Sequence, residues 1–148
     1  MKYLSLFCVF FAALFFSGCS TYVARTEPGV SMAKIQRVFV KSNFNDNHGM
    51  DGRIMRALQD RGYEVDKGPL TMLPRNAQAV VSFEDHWNWD FTTHLTNLRI
   101  EVRDVKSERL IATASFSGAV ALMSSVDDIV DKLVQKLVDQ SKAASAVQ

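Results

Sequence analysis

Three segments in the second half of the chain alternate apolar and polar residues, which is the pattern of β-strands that bury one face. They cover residues 81–91, 97–103 and 110–117. Turns near 90–93 and 106–108 would join them into one antiparallel meander. Because directly opposed residues share a face, the large apolar side chains fix the register. That register pairs Val81 with Val102, Phe83 with Ile100, Glu84 with Arg99 and Trp87 with Thr96.

Two further segments repeat apolar residues at helical spacing. The first covers residues 49–61 and ends in a basic residue followed by a glycine, a common way for a helix to stop. The second carries a continuous apolar stripe over residues 126–138. Ser125 and Asp128 resemble a capping box in which Asp replaces the usual Glu. We therefore predict two helices.

Short runs of β-branched and aromatic residues at 35–42 and 63–65 predict two more strands, one on each side of the first helix. The chain thus alternates strand, helix and strand before the meander and the last helix. An apolar sheet face must be covered, and the two helices are available to cover it. The prediction is an α/β (α+β) fold with two helices packed on one face of a mixed, mainly antiparallel sheet of about five strands.

The amino-terminal segment has the features of an export signal. Residues 3–16 are almost wholly apolar and follow the basic Lys2, but they are fewer than the roughly 20 needed to span a bilayer. The sequence Phe16-Ser17-Gly18-Cys19 that follows resembles the lipobox of bacterial lipoprotein precursors. The resemblance implies cleavage before Cys19, which would then carry diacylglycerol and an acyl chain.

The same resemblance implies a location. Ser20 stands where an Asp commonly retains lipoproteins at the inner membrane, so we expect a lipid anchor at the periplasmic face of the outer membrane. Cys8 would leave with the signal and Cys19 would be consumed by lipid. No thiol would remain in residues 20–148, which excludes disulfides, thiol catalysis and thiolate metal sites there.

These features divide the chain into four predicted parts. Residues 1–18 are a lipoprotein signal peptide, and residues 19–34, which lack apolar periodicity, are a lipid-anchored tether. Residues 35–140 form the periplasmic α/β domain. Residues 141–148 are small and polar and are expected to be a flexible tail.

The charge of the mature chain argues against two classes of partner. Removal of residues 1–18 takes Lys2 away and leaves 16 basic and 16 acidic side chains. A near-neutral domain argues against nucleic-acid binding and against electrostatic attraction to anionic lipid.

Residues 84–90 concentrate carboxylates, an imidazole and two indoles. Period-2 geometry separates them, because Glu84 and His86 share the polar face while Asp85 shares the apolar face with the indoles. One interpretation is a solvated face over an aromatic core. The other is a ligand or partner surface built from Glu84, His86 and, on the next strand, Arg99. A carboxylate on an apolar face is costly, so a bulge or an edge position is preferred for Asp85 over a functional role.

The sequence offers no recognisable metal site or catalytic constellation. The register above places His86 and His94 on opposite faces, and no zinc-ligand spacing occurs. Residues 43–49 hint at a calcium loop, but its glycine is misplaced and the bidentate Glu is absent. No nucleophile elbow, phosphate loop or dinucleotide motif is found. We expect no metal, no cofactor and no enzymatic activity.

The Asp104–Leu110 turn and the helix over 127–138 resemble features of the TolB amino-terminal domain and of the periplasmic domains of the CsgG and LpoB lipoproteins. The resemblance implies a protein-binding module of the envelope. The expected function is a non-enzymatic adaptor that docks on another envelope protein. The alternative is a small-ligand carrier that uses the space between sheet and helices.

Overall fold

The computed structural model describes residues 20–90, 92–118 and 125–146. Cys19 and the predicted signal peptide lie outside the described residues. The described chain forms six strands in one sheet, in the order β1-β6-β5-β4-β2-β3. The strands are β1 (Thr21–Thr26), β2 (Arg37–Lys41), β3 (Glu64–Gly68), β4 (Ala79–Asp90), β5 (Thr92–Asp104) and β6 (Leu110–Ser117). The helices are α1 (Met50–Gln59) and α2 (Val126–Ala146), and two short 3-10 turns occupy Met32–Lys34 and Leu70–Met72.

The predicted fold class is confirmed, since two helices pack against a mixed sheet. β2 is parallel to β3 and β4, while β4, β5, β6 and β1 pair antiparallel. A single buried cluster joins α1, α2 and the inner sheet face. Ile54 and Leu58 from α1 and Leu133 and Leu137 from α2 are at most 2 % exposed within it. Such burial is the main favourable contribution to folding.

The tether predicted over residues 19–34 is wrong for residues 21–26, which form the sixth strand. All six residues of β1 pair with β6, from Thr21 opposite Ser117 to Thr26 opposite Ala112. The Tyr22 ring lies against Phe116, with 5.0 Å between ring centroids. Without β1, the edge of β6 would present unpaired backbone groups. This pairing partner lies some ninety residues away, so local periodicity could not reveal it.

The flexible tail predicted over residues 141–148 is also wrong for residues 141–146, because α2 continues to Ala146. Ser141 is fully buried. Its Oγ accepts a hydrogen bond from the Met32 backbone N–H at 2.7 Å, and its carbonyl accepts one from Ser31 Oγ at 3.1 Å. The carboxyl end of α2 is thereby fixed to the chain before β2. At the other end of α2, Ser125 and Asp128 make the predicted reciprocal capping bonds, both of 3.1 Å.

The predicted β4–β5 register is confirmed as far as His86 and is wrong beyond it. Val81, Phe83 and Glu84 lie opposite the residues predicted for them. Trp87 lies opposite Leu95 instead of Thr96, because a β-bulge makes Thr96 an extra residue on β5. The Thr96 hydroxyl donates to the His86 carbonyl at 3.0 Å.

The bulge changes which residues share a face beyond that point. Leu95 and Leu98 are both fully buried although they are three residues apart. His94 lies opposite Asn88, and therefore on the same face as His86, not on the opposite face as predicted.

The β5–β6 turn is held by Asp104, whose carboxylate accepts hydrogen bonds from the N–H groups of Lys106 and Ser107. Bonds from the Ser107 backbone and hydroxyl lower the Asp104 pKa below its ordinary value. Glu108 has φ +56° and takes the left-handed conformation that glycine favours.

A partly buried ion pair joins α1 to the sheet, with the Lys67 side chain 40 % and the Asp51 side chain 12 % exposed. The Asp51 carboxylate, near the start of α1, accepts hydrogen bonds from Ser42 Oγ at 2.6 Å and Lys67 Nζ at 2.8 Å. Burial raises the Asp51 pKa, but the bonds from Lys67 and Ser42 and the Lys67 charge outweigh it, so the pKa lies below its ordinary value. Asp46 accepts the Asp51 backbone N–H at 3.0 Å and helps to start the helix.

We expect Asp51→Asn to lower the free energy of unfolding by about 1–3 kcal/mol near pH 7, since it weakens the bonds to Ser42 and Lys67. The folded-state pKa of Asp51 is depressed, so its stabilisation is complete above the pKa of the unfolded chain, about 4, and is lost as the pH falls below it. The difference in free energy of unfolding between wild type and variant, measured by urea unfolding, should therefore be smaller at pH 3 than at pH 7. The exposed Asp66→Asn serves as control, and a difference that stays constant with pH would contradict this role.

Ser141→Ala should lower the free energy of unfolding by about 1–3 kcal/mol, because the buried Met32 N–H loses its acceptor. Urea unfolding followed by circular dichroism measures the change. Lys142→Ala, at the exposed neighbouring position, should have little effect. Equal effects of the two substitutions would mean that the end of α2 is not docked.

Candidate functional site

The sheet face turned away from the helices carries the residues predicted as a ligand or partner surface. Glu84 and His86 from β4 and Arg99 from β5 line one shallow depression of about 260 Å³, together with Asn97 and Ser115. The Glu84–Arg99 pairing brings them together, as the strand register predicted. The three residues therefore lie together on one surface.

Arg99 and Arg103 both form ion pairs with Glu101, which lies between them on β5. Arg99 Nη2 lies 2.7 Å from a carboxylate oxygen of Glu101, its neighbour two positions along β5, and Arg103 Nη2 lies 2.9 Å from the other oxygen. Glu101 was not singled out from the sequence, although the alternation of Arg99, Glu101 and Arg103 places all three on one face. These half-exposed pairs contribute little to stability, about 0–1 kcal/mol each.

A second depression of about 250 Å³ adjoins the first and is lined by Lys41, Asn43, Glu84, Arg99 and Glu101 among others. Both are open, and both contain charges of each sign. Such a surface can hydrogen-bond a polar ligand or a protein partner. It does not assemble a nucleophile, a base and an oxyanion site around one point, as covalent catalysis requires.

Asp85 occupies the kind of position that its sequence context favoured. β2 pairs with β4 only at Ala79–Val81, so the part of β4 that holds Asp85 is open on that side. The Trp87 indole N–H donates to the Asp85 carboxylate, and the His48 ring stacks on the Trp87 indole at 3.7 Å between centroids. The carboxylate is thus partnered at an edge, which is a structural explanation for it.

Among the residues that the structure describes, no group of three or more His, Cys, Asp or Glu side chains could hold a metal ion. No helix in the described ranges is both long enough and apolar enough to cross a membrane.

The β4–β5 hairpin continues as a two-stranded ribbon past the ends of the other strands that the structure describes. On one side, β2 pairs with β4 no farther than Val81. Asn43, in the loop after β2, donates a hydrogen bond from its Nδ2 to the Phe83 carbonyl at 3.0 Å. On the other side β6 reaches only to Asn97. Near the tip of this ribbon Trp89 is 75 % exposed.

The opposite border of the sheet is the edge strand β1. A groove of about 480 Å³ runs between β1 and α2 and is lined by Tyr22, Val23, Ala24, Lys136 and Asp139, among others. Val23 is 39 % exposed here. Burial, and the negative charge of Asp128, raise the pKa of Tyr22, so it remains a neutral donor at ordinary pH. This surface is not predicted from the sequence, because residues 21–26 have no strand-like periodicity of their own and fall in the predicted tether.

No protein-family model and no curated protein matches the chain. Solved structures do. The PelC dodecamer from Paraburkholderia phytofirmans superposes with a TM-score of 0.61 at 16 % identity, over 83 % of this chain and 98 % of that chain. A single-substitution variant of the same PelC dodecamer gives a TM-score of 0.59 at 15 % identity over the same shares. At these identities, the comparison shows that this chain has the fold of a PelC subunit.

Proposed function

We propose that the protein is a lipid-anchored envelope lipoprotein at the periplasmic face of the outer membrane, and that it works as a self-associating, non-enzymatic interaction module. The observation that carries this proposal is its likeness to a subunit of a dodecamer over nearly the full length of that subunit. The lipobox-like Phe16-Ser17-Gly18-Cys19 supports the anchor. The PelC-like fold suggests an exopolysaccharide secretion complex as the envelope partner.

The arrangement of the sheet suits a ring. The edge strands of the sheet, β1 and β3, differ in sequence and in the residues around them. Contact between two such unlike surfaces on successive subunits can close a ring. Arg25 is exposed on β1, whereas Asp66 is exposed on β3. Opposite charges on opposite borders favour such head-to-tail contact. The groove beside β1 exposes Val23, an apolar side chain that can lie at the centre of the same interface.

Nothing in the described structure favours the small-ligand carrier. The space between sheet and helices, where a carrier would hold its ligand, is filled by the buried cluster, in which Ile54, Ile100 and Leu133 are at most 1 % exposed. The depressions on the outer face are shallow and open, unlike the clefts that bury most of the surface of a small molecule.

Cys19→Ala should abolish incorporation of labelled fatty acid and release the protein from the membrane fraction, because several acyl chains are needed for durable anchoring. Metabolic labelling and membrane fractionation measure both effects. Cys8→Ala, within the predicted signal peptide, should leave both unchanged. A Cys19→Ala protein that still carries label would refute the anchor.

The lipidated protein in mild detergent should have a mass by light scattering that is a multiple of the mature chain. Val23→Lys should reduce that mass, because a charge would enter the apolar centre of the interface, whereas the isosteric Val23→Thr should reduce it less. A monomeric wild type would sink self-association. An oligomer insensitive to Val23→Lys would exclude the β1 border as the contact.

A further inference from the structure

We propose that successive subunits join by backbone hydrogen bonds, with β1 of one copy antiparallel to β3 of the next and Arg25 opposite Asp66 of that next copy. One sheet would then continue from subunit to subunit. The inference deepens the proposed function and rests on its self-association. It follows from the directions of the two edge strands, from the backbone groups that each leaves free, and from the side chains beside them.

The first step is the direction of the two edge strands. β1 is antiparallel to β6, β6 to β5 and β5 to β4, whereas β2 is parallel to both β4 and β3. Within one subunit, β1 and β3 therefore run in opposite directions. In a ring of many copies, each subunit is turned only slightly relative to its neighbour. β1 of one copy then meets β3 of the next as an antiparallel partner.

The second step concerns the backbone groups of β1. The Glu27 N–H, one residue past the strand, donates to the Ile111 carbonyl at the start of β6 at 2.9 Å. Successive residues of a strand point their backbone groups to opposite sides, so those of Tyr22, Ala24 and Thr26 point away from β6 and out of the sheet. Tyr22 and Ala24 pack against the buried cluster, so the side chains of this set face the helices.

β3 leaves a matching set of backbone groups free. The Glu64 N–H donates to the Gln36 carbonyl at 2.8 Å, so the groups of Val65 and Lys67 point away from β2. The Gln59 side chain donates to the Val65 carbonyl at 3.4 Å, a long bond that an incoming strand can replace. Val65 packs against the buried cluster and Lys67 bonds to α1, so these side chains also face the helices. Pairing of the two edges therefore continues the sheet without turning it over.

The charges beside the two edges select the register. Arg25 on β1 and Asp66 on β3 are exposed, and neither takes part in the ion pairs formed among the described residues. Opposite charges directly across two strands stabilise their pairing. Glu64, the other exposed acid of β3, is already bound to Arg37 at 2.7 Å. In the proposed register it falls opposite Glu27, and its ion pair with Arg37 offsets the repulsion.

The same register brings apolar side chains together. Val23, which is 39 % exposed, falls opposite Gly68 of the next copy. A Cβ at Gly68 would lie 3.7 Å from the Met72 sulfur, so the Met72 side chain occupies the space beside this glycine. Met72 is itself 67 % exposed, and contact with Val23 would remove apolar surface of both from water. A register shifted by two residues would set Val23 against the Asp66 carboxylate instead.

Engineered disulfides test the pairing in the full lipidated protein in mild detergent. Arg25 and Asp66 would form a non-hydrogen-bonded pair, with Cα atoms about 4.5 Å apart, a separation that a disulfide can bridge. Arg25→Cys with Asp66→Cys in one chain should give a ladder of disulfide-linked multimers on mild oxidation. A mixture of the two single variants should give dimers only, because each copy then carries one reactive edge. With Cys8 removed and Cys19 lipidated, the engineered thiols are the only ones in the chain.

The matched control is Arg25→Cys with Glu64→Cys, a pair displaced by two residues, which should crosslink far less. Equal crosslinking of the two pairs overturns the proposed register. Disulfides that join two Arg25→Cys chains, or two Asp66→Cys chains, would mean that like edges meet, and this overturns the head-to-tail pairing.

Light scattering of the wild type separates the possible failures. A monomeric mass refutes self-association and with it the proposed function. A mass that is a multiple of the chain, without a ladder from the double cysteine variant, refutes the β1–β3 pairing alone. If the cysteine variants fail to fold, charge exchange decides. Arg25→Asp should weaken self-association several-fold, and Asp66→Arg in the same chain should restore it. Failure of the second substitution to restore the assembly overturns the proposal.

Discussion

The structure depends on burial of one face of the β4–β5–β6 meander under two helices. Val81, Phe83 and Ile100 lie on that face and are at most 3 % exposed. A shift of one residue would expose all of them, so the register is strongly determined. The same register places Glu84 opposite Arg99 on the outer face and sets the length by which the hairpin passes its neighbours. The polar surface and the hairpin are thus both consequences of how the core is packed.

The bulge at Thr96 separates the buried sheet from the projecting hairpin. Up to His86, β4 lies within a sheet, and beyond it β5 alone pairs with β4 among the described residues. A two-stranded ribbon is marginally stable by itself. Leu95, fully buried, and the stack of His48 on Trp87 tie the base of this ribbon to the domain. The hairpin therefore presents the exposed Trp89 without being a separate unit.

Three surfaces of the domain remain available for different contacts. The outer sheet face carries paired charges, the β1 border has a groove beside the exposed Val23, and the hairpin end carries exposed aromatic rings. In the proposed assembly, the β1 border contacts the next subunit. The outer face, with Glu84, His86 and Arg99, then remains for an envelope partner. Separation of these surfaces would let one small domain be anchored, self-associate and bind at the same time.

The sequence by itself determined whatever is encoded by local repetition. Alternation located β4, β5 and β6 and their pairing through Glu84, helical spacing located α1 and α2, and the capping box at Ser125 located the start of α2. The lipobox-like segment determined the expectation of an anchor at Cys19. Tertiary structure alone decided that residues 21–26 complete the sheet, that Ser141 docks on Met32 and that Thr96 is an extra residue on β5. The physical reason is that these features are stabilised by partners distant in the chain: Thr26 needs Ala112, and the Ser141 hydroxyl needs an N–H more than one hundred residues earlier. A segment with weak periodicity of its own acquires a structure only where the rest of the fold leaves it an unpaired edge or an unsatisfied polar group.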